Sequence, residues 1–273
     1  MGLKMKQVIC IKWGTRYGAE YVNRIYAMVA RNVSGPFRVY CFTDDKNGIR
    51  PEVDCYPLPE LGCPVPTNAP GKFRKLALWN ADLFGLSGPA LFLDLDIVIT
   101  GSLDALFTYG HPDDVILARN WVKPFERLGQ TSVFRFPIGQ HGYLLENFRA
   151  NSESLAQKYQ FEQRYVTHAV RGGIKFYPSA WVRHFRLDCL GPWPLRYLRP
   201  AVLPRNARVV MFPGKPDPAD AILGRWSDKM THQSPWQHLR AAGRNQNQTG
   251  WRFWHHVKRY LYPVAWVREH WRE

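Results

Sequence analysis

The chain lacks any run of about 18 apolar residues, the length a helix needs to cross a bilayer. Its opening stretch, MGLKMKQVICIKWG, holds only the short apolar run 8–11 before Lys12, too little for the hydrophobic region of a signal peptide. Cysteine is scarce: Cys10, Cys41, Cys55, Cys63 and Cys189 are odd in number and lack metal-ligand spacing. Several stand in apolar, strand-like contexts, where a thiol is an ordinary small hydrophobe. These absences lead to the expectation of a cytoplasmic protein. No Walker phosphate loop and no Gly-x-Ser-x-Gly elbow is present, and no internal repeat is visible. The histidines form no constellation either. His255 and His256 are neighbours, so on a helix they point about 100° apart, and His168 and His184 stand alone.

Acidic residues are also few. Asp and Glu number 22 against 37 Lys and Arg, a formal net charge of +15. Such an excess calls for a polyanionic partner: nucleic acid, an anionic membrane surface or a phosphate-bearing substrate. No nucleic-acid-binding motif accompanies the charge, which makes nucleic acid the weakest of the three. At 273 residues and 45% hydrophobic, the chain can bury a sizeable core as one large domain or two lobes.

Strand-like and helix-like stretches alternate. QVICIKW (7–13) reads as a strand, followed by a glycine-containing turn and the helical AEYVNRIYAMVARNV. FRVYCFTDD (37–45) is a second strand, and DCYPL a short third. A proline-rich loop (59–71) leads into the helical KFRKLALWNADLFG and then the apolar run PALFLDLDIVITGSL. Downstream, DVILAR, TSVFRF and RVVMF read as strands and SESLAQKYQFEQRYVTHAV as one helix. This order predicts an α/β fold with a mostly parallel central sheet flanked by helices. The domain expectation is a catalytic domain over 1–224, a polar linker over 225–250 and a basic amphipathic helix over 251–273.

The apolar run 89–103 carries Asp94 and Asp96 two apart, which on a continuous strand share one side. Two like charges buried together need a neutralising partner. A bland alternative makes them turn-capping residues. Their context, the carboxyl end of a buried strand where α/β sheets hold their ligand crevice, favours a hard divalent ion that also binds a diphosphate.

With these residues in view, KFRKLALWNADLFGLSGPALFLDLDIVITGSLDALF (72–107) resembles the core of GT-A-fold (Rossmann-like) nucleotide-sugar glycosyltransferases, especially the glycogenin and lipopolysaccharide-galactosyltransferase type. The resemblance runs diffusely over 7–217. It implies sugar transfer by a hexosyltransferase-type enzyme from a nucleotide-diphosphate sugar, a UDP-sugar foremost, to a saccharide or lipid-linked acceptor, with Mn2+ or Mg2+ as cofactor. Asp94 and Asp96 match the acids that contact the ribose and the metal. Lys12, Trp13, Gly14 and Tyr17 match the loop that holds nucleobase and diphosphate, and Lys75 a basic residue approaching the donor phosphates, unless it is simply a solvated helix charge. Ser132 matches the sugar-facing segment, and Glu162 and Gln163 the helix start that touches the transferred sugar or acceptor. VVMFPGKPDP resembles the late phosphate loop, in which Gly214 lets the backbone approach the diphosphate and Lys215 offsets its charge. The histidine that usually precedes this glycine as third metal ligand is absent. The preceding residues are Met211, Phe212 and Pro213, so the ion has the acidic pair alone, or Asp217 contributes, or the protein is a silent, membrane-bound relative of the enzymes. A retaining reaction needs no dedicated base; an inverting one needs a carboxylate, with Glu162 or Asp188 as candidates.

The C-terminal stretch is basic and aromatic together. Phe253, Val257, Tyr260, Val264, Val267 and Trp271 recur at spacings of four and three and make one apolar stripe, with Pro263 kinking the helix or starting a second. Two outcomes stand open. The stripe packs back on the domain, or it anchors the protein peripherally on the anionic inner face of the plasma membrane.

Overall fold

A computed structural model of the 273-residue chain describes residues 5–68, 73–121, 123, 125–244 and 250–273. Its elements in chain order are β1 (Lys6–Lys12), α1 (Ala19–Asn32), β2 (Phe37–Thr43), β3 (Val53–Tyr56), a 3-10 helix (Phe73–Trp79), β4 (Gly88–Leu93), β5 (Ile97–Ile99) and α2 (Asp104–Thr108). There follow β6 (Ile116–Arg119), β7 (Gly129–Ile138), α3 (Tyr143–Ala150), α4 (Ser152–Tyr159), α5 (Glu162–Ala169), β8 (Lys175–Phe176), β9 (Val182–His184) and a π-helical turn (Phe185–Cys189). A short 3-10 turn (Leu195–Tyr197), β10 (Val209–Met211), α6 (Pro218–Leu223), α7 (Pro235–Arg244), α8 (Gly250–Val257) and α9 (Ala265–His270) complete the chain.

Two compact units emerge: Met1–Leu95 with Ser102–Ser179, and Asp96–Gly101 with Ala180–Glu273. The expected boundary at 224/225 therefore differs from the observed one, because β9, β10 and α6 belong with the tail. In the first unit a seven-stranded sheet runs β3-β2-β1-β4-β7-β6-β8. Pairs β1/β2, β1/β4, β2/β3 and β6/β8 are parallel, and β7 is antiparallel to both its neighbours. Val8, Ile9 and Cys10 in β1 are fully buried, as the unbroken apolar run of a central strand requires. The core beneath the sheet is aromatic: Trp79 stacks on Phe134 at 5.8 Å and Phe73 on Phe148 at 5.1 Å. The register aligns Cys10, Cys41 and Cys55 across β1, β2 and β3. Cys10 and Cys41 are buried and all five cysteines are free thiols.

Two sequence expectations are corrected here. The apolar run 89–103 is not one strand: β4 ends at Leu93, β5 starts at Ile97, and the chain bends between them. Asp94 and Asp96 hence do not share the face of a continuous strand. The single helix expected over 152–170 is two, because Gln160 takes a left-handed φ of 62° and Phe161 is extended. That break makes Glu162 the first residue of α5.

In the second unit β5-β10-β9 form a three-stranded sheet, β10 antiparallel to β5 and parallel to β9. The expected linker 225–250 contains α7, whose His238 and Ala242 are buried one helical turn apart; its stretch 245–249 lies outside the described residues. The tail forms two helices separated by a turn around Pro263, and the amide of Val264 bonds to Ala221 O at 2.9 Å. Val257, Tyr260, Val264, Val267 and Trp271 are all buried, with Tyr260 stacked on Tyr197 at 4.3 Å. The stripe is core. Its apolar surface is not available to lipid in this fold, which corrects the anchor reading of those residues. Among the described residues no helix is long and apolar enough to cross a membrane.

Candidate functional site

The first unit gathers four polar side chains at the carboxyl end of β4. Asp94 follows the last residue of that strand, and its amide donates to Ser132 O on β7 at 2.9 Å. Lys75, from the 3-10 helix, donates to Asp94 Oδ1 at 2.8 Å and to Thr131 O at 3.0 Å, with its ammonium 4.7 Å from the centre of the Phe92 ring. Thr131 Oγ1 donates to Glu162 Oε2 at 2.7 Å, and the other oxygen, Oε1, is buried without a hydrogen-bond partner. Glu162 is 6% exposed. Burial pushes its pKa up to about 7; Lys75 and the Thr131 hydroxyl oppose the rise and Asp94 adds to it. The result is a carboxyl poised to exchange a proton near neutrality, with one free acceptor oxygen.

Of the expected site residues, the structure brings Lys75, Asp94 and Glu162 into this cluster. Lys75 is engaged with a carboxylate and a carbonyl rather than standing solvated. Ser132 is buried beside it on β7, and Gln163 is half-buried on α5, its carbonyl accepting from Thr167 Oγ1 at 2.7 Å. Thr131 is the residue that sequence reasoning missed: TSVFRF offers two adjacent hydroxyls, and strand alternation alone does not say which one meets the helix start.

The loop after β1 holds the next group. Lys12 is 4% exposed, and its ammonium donates to Asp45 O at 2.9 Å; no carboxylate within ion-pair distance answers it among the described residues. Gly14 has φ +63°, in the left-handed region that favours glycine, and its amide donates to Asp44 Oδ2 at 2.8 Å. Trp13 is 44% exposed with the Arg74 guanidinium 5.5 Å from its ring centre. Tyr17 packs on Tyr21 at 4.7 Å. Arg74, one residue before Lys75, is a second member not anticipated from sequence.

The second unit holds the remaining residues. Asp96 is half-buried, and its carbonyl accepts from the amide of Phe212 at 2.9 Å. Gly214 has φ +85° with nothing within 4 Å of an added Cβ, so backbone conformation rather than space calls for glycine. Lys215 donates to Asp217 at 2.6 Å and Asp220 at 3.3 Å, and lies 3.6 Å from Asp228. Burial lowers its pKa, but Asp217 and Asp220 outweigh that and hold it above the ordinary lysine value. Asp217 caps α6 in a reciprocal box with Asp220. Asp188 is likewise drawn into local structure, accepting from the amide of His184 at 2.7 Å and lying 3.6 Å from Arg183.

The donor set suits a hard divalent cation in type, since Asp94 and Asp96 are carboxylates. It is sparse in number. Asp94 Oδ1 already receives the Lys75 ammonium, and no three His, Cys, Asp or Glu side chains converge as a metal cage among the described residues.

No protein-family model matches the chain, and no curated protein matches it in sequence. Solved structures do match in fold. The galactosyltransferase LgtC in complex with donor and acceptor sugar analogs aligns with a TM-score of 0.55 at 12% identity, covering 97% of this chain and 99% of that one. The glycosyltransferase GlyE of Streptococcus pneumoniae TIGR4 aligns with a TM-score of 0.55 at 12% identity, covering 97% of this chain and 63% of that one. The bifunctional glycosyltransferase WbbM aligns with a TM-score of 0.53 at 11% identity, covering 78% of this chain. The chain spans 46% of WbbM's length. The fold is thus the GT-A glycosyltransferase fold, resembling that of the galactosyltransferase LgtC.

Proposed function

We propose that the chain is a hexosyltransferase-type glycosyltransferase (EC 2.4). It moves a sugar from a nucleotide-diphosphate donor, a UDP-sugar foremost, to a saccharide or lipid-linked acceptor in the synthesis of bacterial-type surface polysaccharide or lipopolysaccharide. The observation that carries this reading is Glu162: a buried carboxyl with an unpartnered Oε1, joined through Thr131 to Lys75 and Asp94 at the carboxyl end of a GT-A sheet strand. That oxygen accepts a sugar hydroxyl, and its proton affinity lets the group hold or take a proton near pH 7.

In this reading the exposed face of Trp13 and Tyr17 receive the nucleobase, with the Gly14 turn giving close backbone approach. Lys12, a buried cation whose ammonium donates to Asp45 O, offsets diphosphate charge. Ser132 and Gln163 contact the transferred sugar. The second unit's Gly214 and Lys215 keep the phosphate-loop role that the resemblance gives them, although Lys215 already serves three acids. Mn2+ or Mg2+, when bound by Asp96 with Asp94, would stabilise charge developing on the departing diphosphate. In a retaining course the leaving phosphate takes the acceptor's proton; in an inverting one Glu162 takes it.

A thermal-shift screen of nucleotide sugars with manganese identifies the donor, and NMR of the product anomer decides retention against inversion. Asp96→Asn abolishes transfer while leaving circular dichroism and melting unchanged. Wild-type turnover in that variant, or full activity in chelator, overturns the metal mechanism. Peripheral attachment to anionic membrane is supported by exposed side chains rather than by the buried stripe: Trp193 against Trp254 at 4.8 Å, and Trp236, 73% exposed. Trp236→Ser with Trp254→Ser is expected to lower co-sedimentation with anionic vesicles, and unchanged co-sedimentation overturns this placement.

A further inference from the structure

The first unit contains a cleft of about 560 Å³ that the site above does not use. It falls within the roughly 300–1,000 Å³ of small-molecule sites. Tyr143, Glu146 and Asn147 of α3 form one wall, and Lys158 and Tyr159 of α4 the other, with Tyr165 and Ala169 of α5 and Arg171 closing it.

The lining is mostly polar and aromatic, and its tyrosines are held in place. Tyr165, on the floor, donates to Leu144 O at 2.8 Å and accepts from Asn147 at 3.3 Å. The hydroxyl of Tyr143 accepts from the Arg171 amide at 2.7 Å, and the Arg171 guanidinium stacks 4.2 Å from the centre of the same ring. Tyr159 stacks on His168 at 5.9 Å, with the Lys158 ammonium 5.1 Å from its own ring centre. Arg171 and Lys158 are exposed cations in contact with aromatic rings, and neither has a carboxylate partner among the described residues. Glu146 is an exposed acid on the rim.

Tyrosine rings suit the C–H faces of sugar rings, asparagine and glutamate suit hydroxyls, and two unpaired cations suit a carboxylate or phosphate on the same ligand. We propose that this cleft is a second saccharide-binding site, separate from the Glu162 cluster, that holds an acidic oligosaccharide. The ligand class rests on the sugar-transfer reading; binding itself does not require it. Glu162 and Ala169 are first and last in α5, about 10 Å apart along the helix axis. A chain held in the cleft would therefore lie one short helix away from the carboxyl assigned to transfer.

The test uses the full chain and direct binding. Trigalacturonate, titrated by calorimetry without nucleotide, is expected to bind, while neutral maltotriose binds far more weakly. Lys158→Gln with Arg171→Gln, two exposed positions whose loss leaves the fold intact, raises the trigalacturonate Kd about tenfold. Tyr159→Ser lowers affinity for both saccharides, and nucleotide-sugar binding is unchanged in every variant. No trigalacturonate binding, or binding indifferent to all three substitutions, overturns the proposal. Equal binding of maltotriose overturns its acidic character, and competition by inorganic phosphate at equal affinity shows an anion site without saccharide recognition. A failure of sugar transfer with trigalacturonate binding intact overturns the enzymatic reading and leaves this one standing.

Discussion

At the scale of single residues, Glu162 sets a conflict between stability and chemistry. Its pKa lies near 7 in the fold against an ordinary 4.5. Below pH 4.5 both folded and unfolded chains hold the proton and nothing is lost. Between 4.5 and 7 the unfolded chain ionises first, so stability falls as pH rises, by about 3 kcal/mol once above 7. Glu162→Gln keeps an acceptor for the Thr131 hydroxyl but never ionises. It is expected to raise the melting temperature at pH 8, to leave it unchanged at pH 4, and to slow sugar transfer at every pH. If the ionised carboxyl is the working form, wild-type transfer rises with pH through about 7. A variant less stable at pH 8 would show that the buried carboxyl is not the strained group its surroundings make it. Thr131 and Lys75 matter here as positioning residues, since Thr131 holds Glu162 and Lys75 holds Asp94.

At the scale of elements, local hydrogen bonds decide acid sensitivity. The neutral Nδ1 of His184 accepts from the amides of Arg186 and Leu187 and so starts the π-helical turn. Burial, with Arg186 assisting, holds its pKa down to about 4; burial and the neighbouring His256 do the same for His238. The unfolded chain protonates near 6.5, so the stability both rings contribute is present above that pH and is lost as pH falls towards 4. Urea unfolding between pH 7 and 4.5 should show this decline. It should be shallower in His184→Asn, whose amide oxygen still accepts both amides. Elements also mark where sequence is legible. β1, β2 and β7 could be read because short stretches rich in aromatic and β-branched residues, such as VICI, VYCF and VFRF, favour strands. The bend at Asp94–Asp96 could not, since Leu95 and the runs 90–93 and 97–99 on either side are all apolar and a change of sheet leaves no mark on local pattern. The α4/α5 break lacks glycine and proline, and α7 hides its buried His238 in a polar composition. The acids, Glu162 and Lys75 were visible as residue types; Thr131 and Arg74 enter only through contacts made in three dimensions.

At the scale of the whole molecule, the tail belongs to a folded unit. Removing 250–273 deletes Val257, Tyr260, Val264, Val267 and Trp271 from the core of the second unit, each worth roughly 1.5–3 kcal/mol of burial. The truncated chain is expected to lose a cooperative unfolding transition and to be cut by protease within 180–249, rather than simply to detach from vesicles. A truncated protein with both units intact by melting and proteolysis would contradict this. The three-stranded sheet adds a matter of timing. Its β5 is made by residues 97–99, while its partner β10 follows only at 209–211. On the ribosome the apolar Ile97–Val98–Ile99 must therefore wait for more than a hundred residues of synthesis with its backbone groups unpaired, at roughly 5–20 residues per second. A nascent chain stalled before residue 209 presents that edge to any chaperone or neighbouring chain, so the molecule is most exposed to misassembly during its own synthesis.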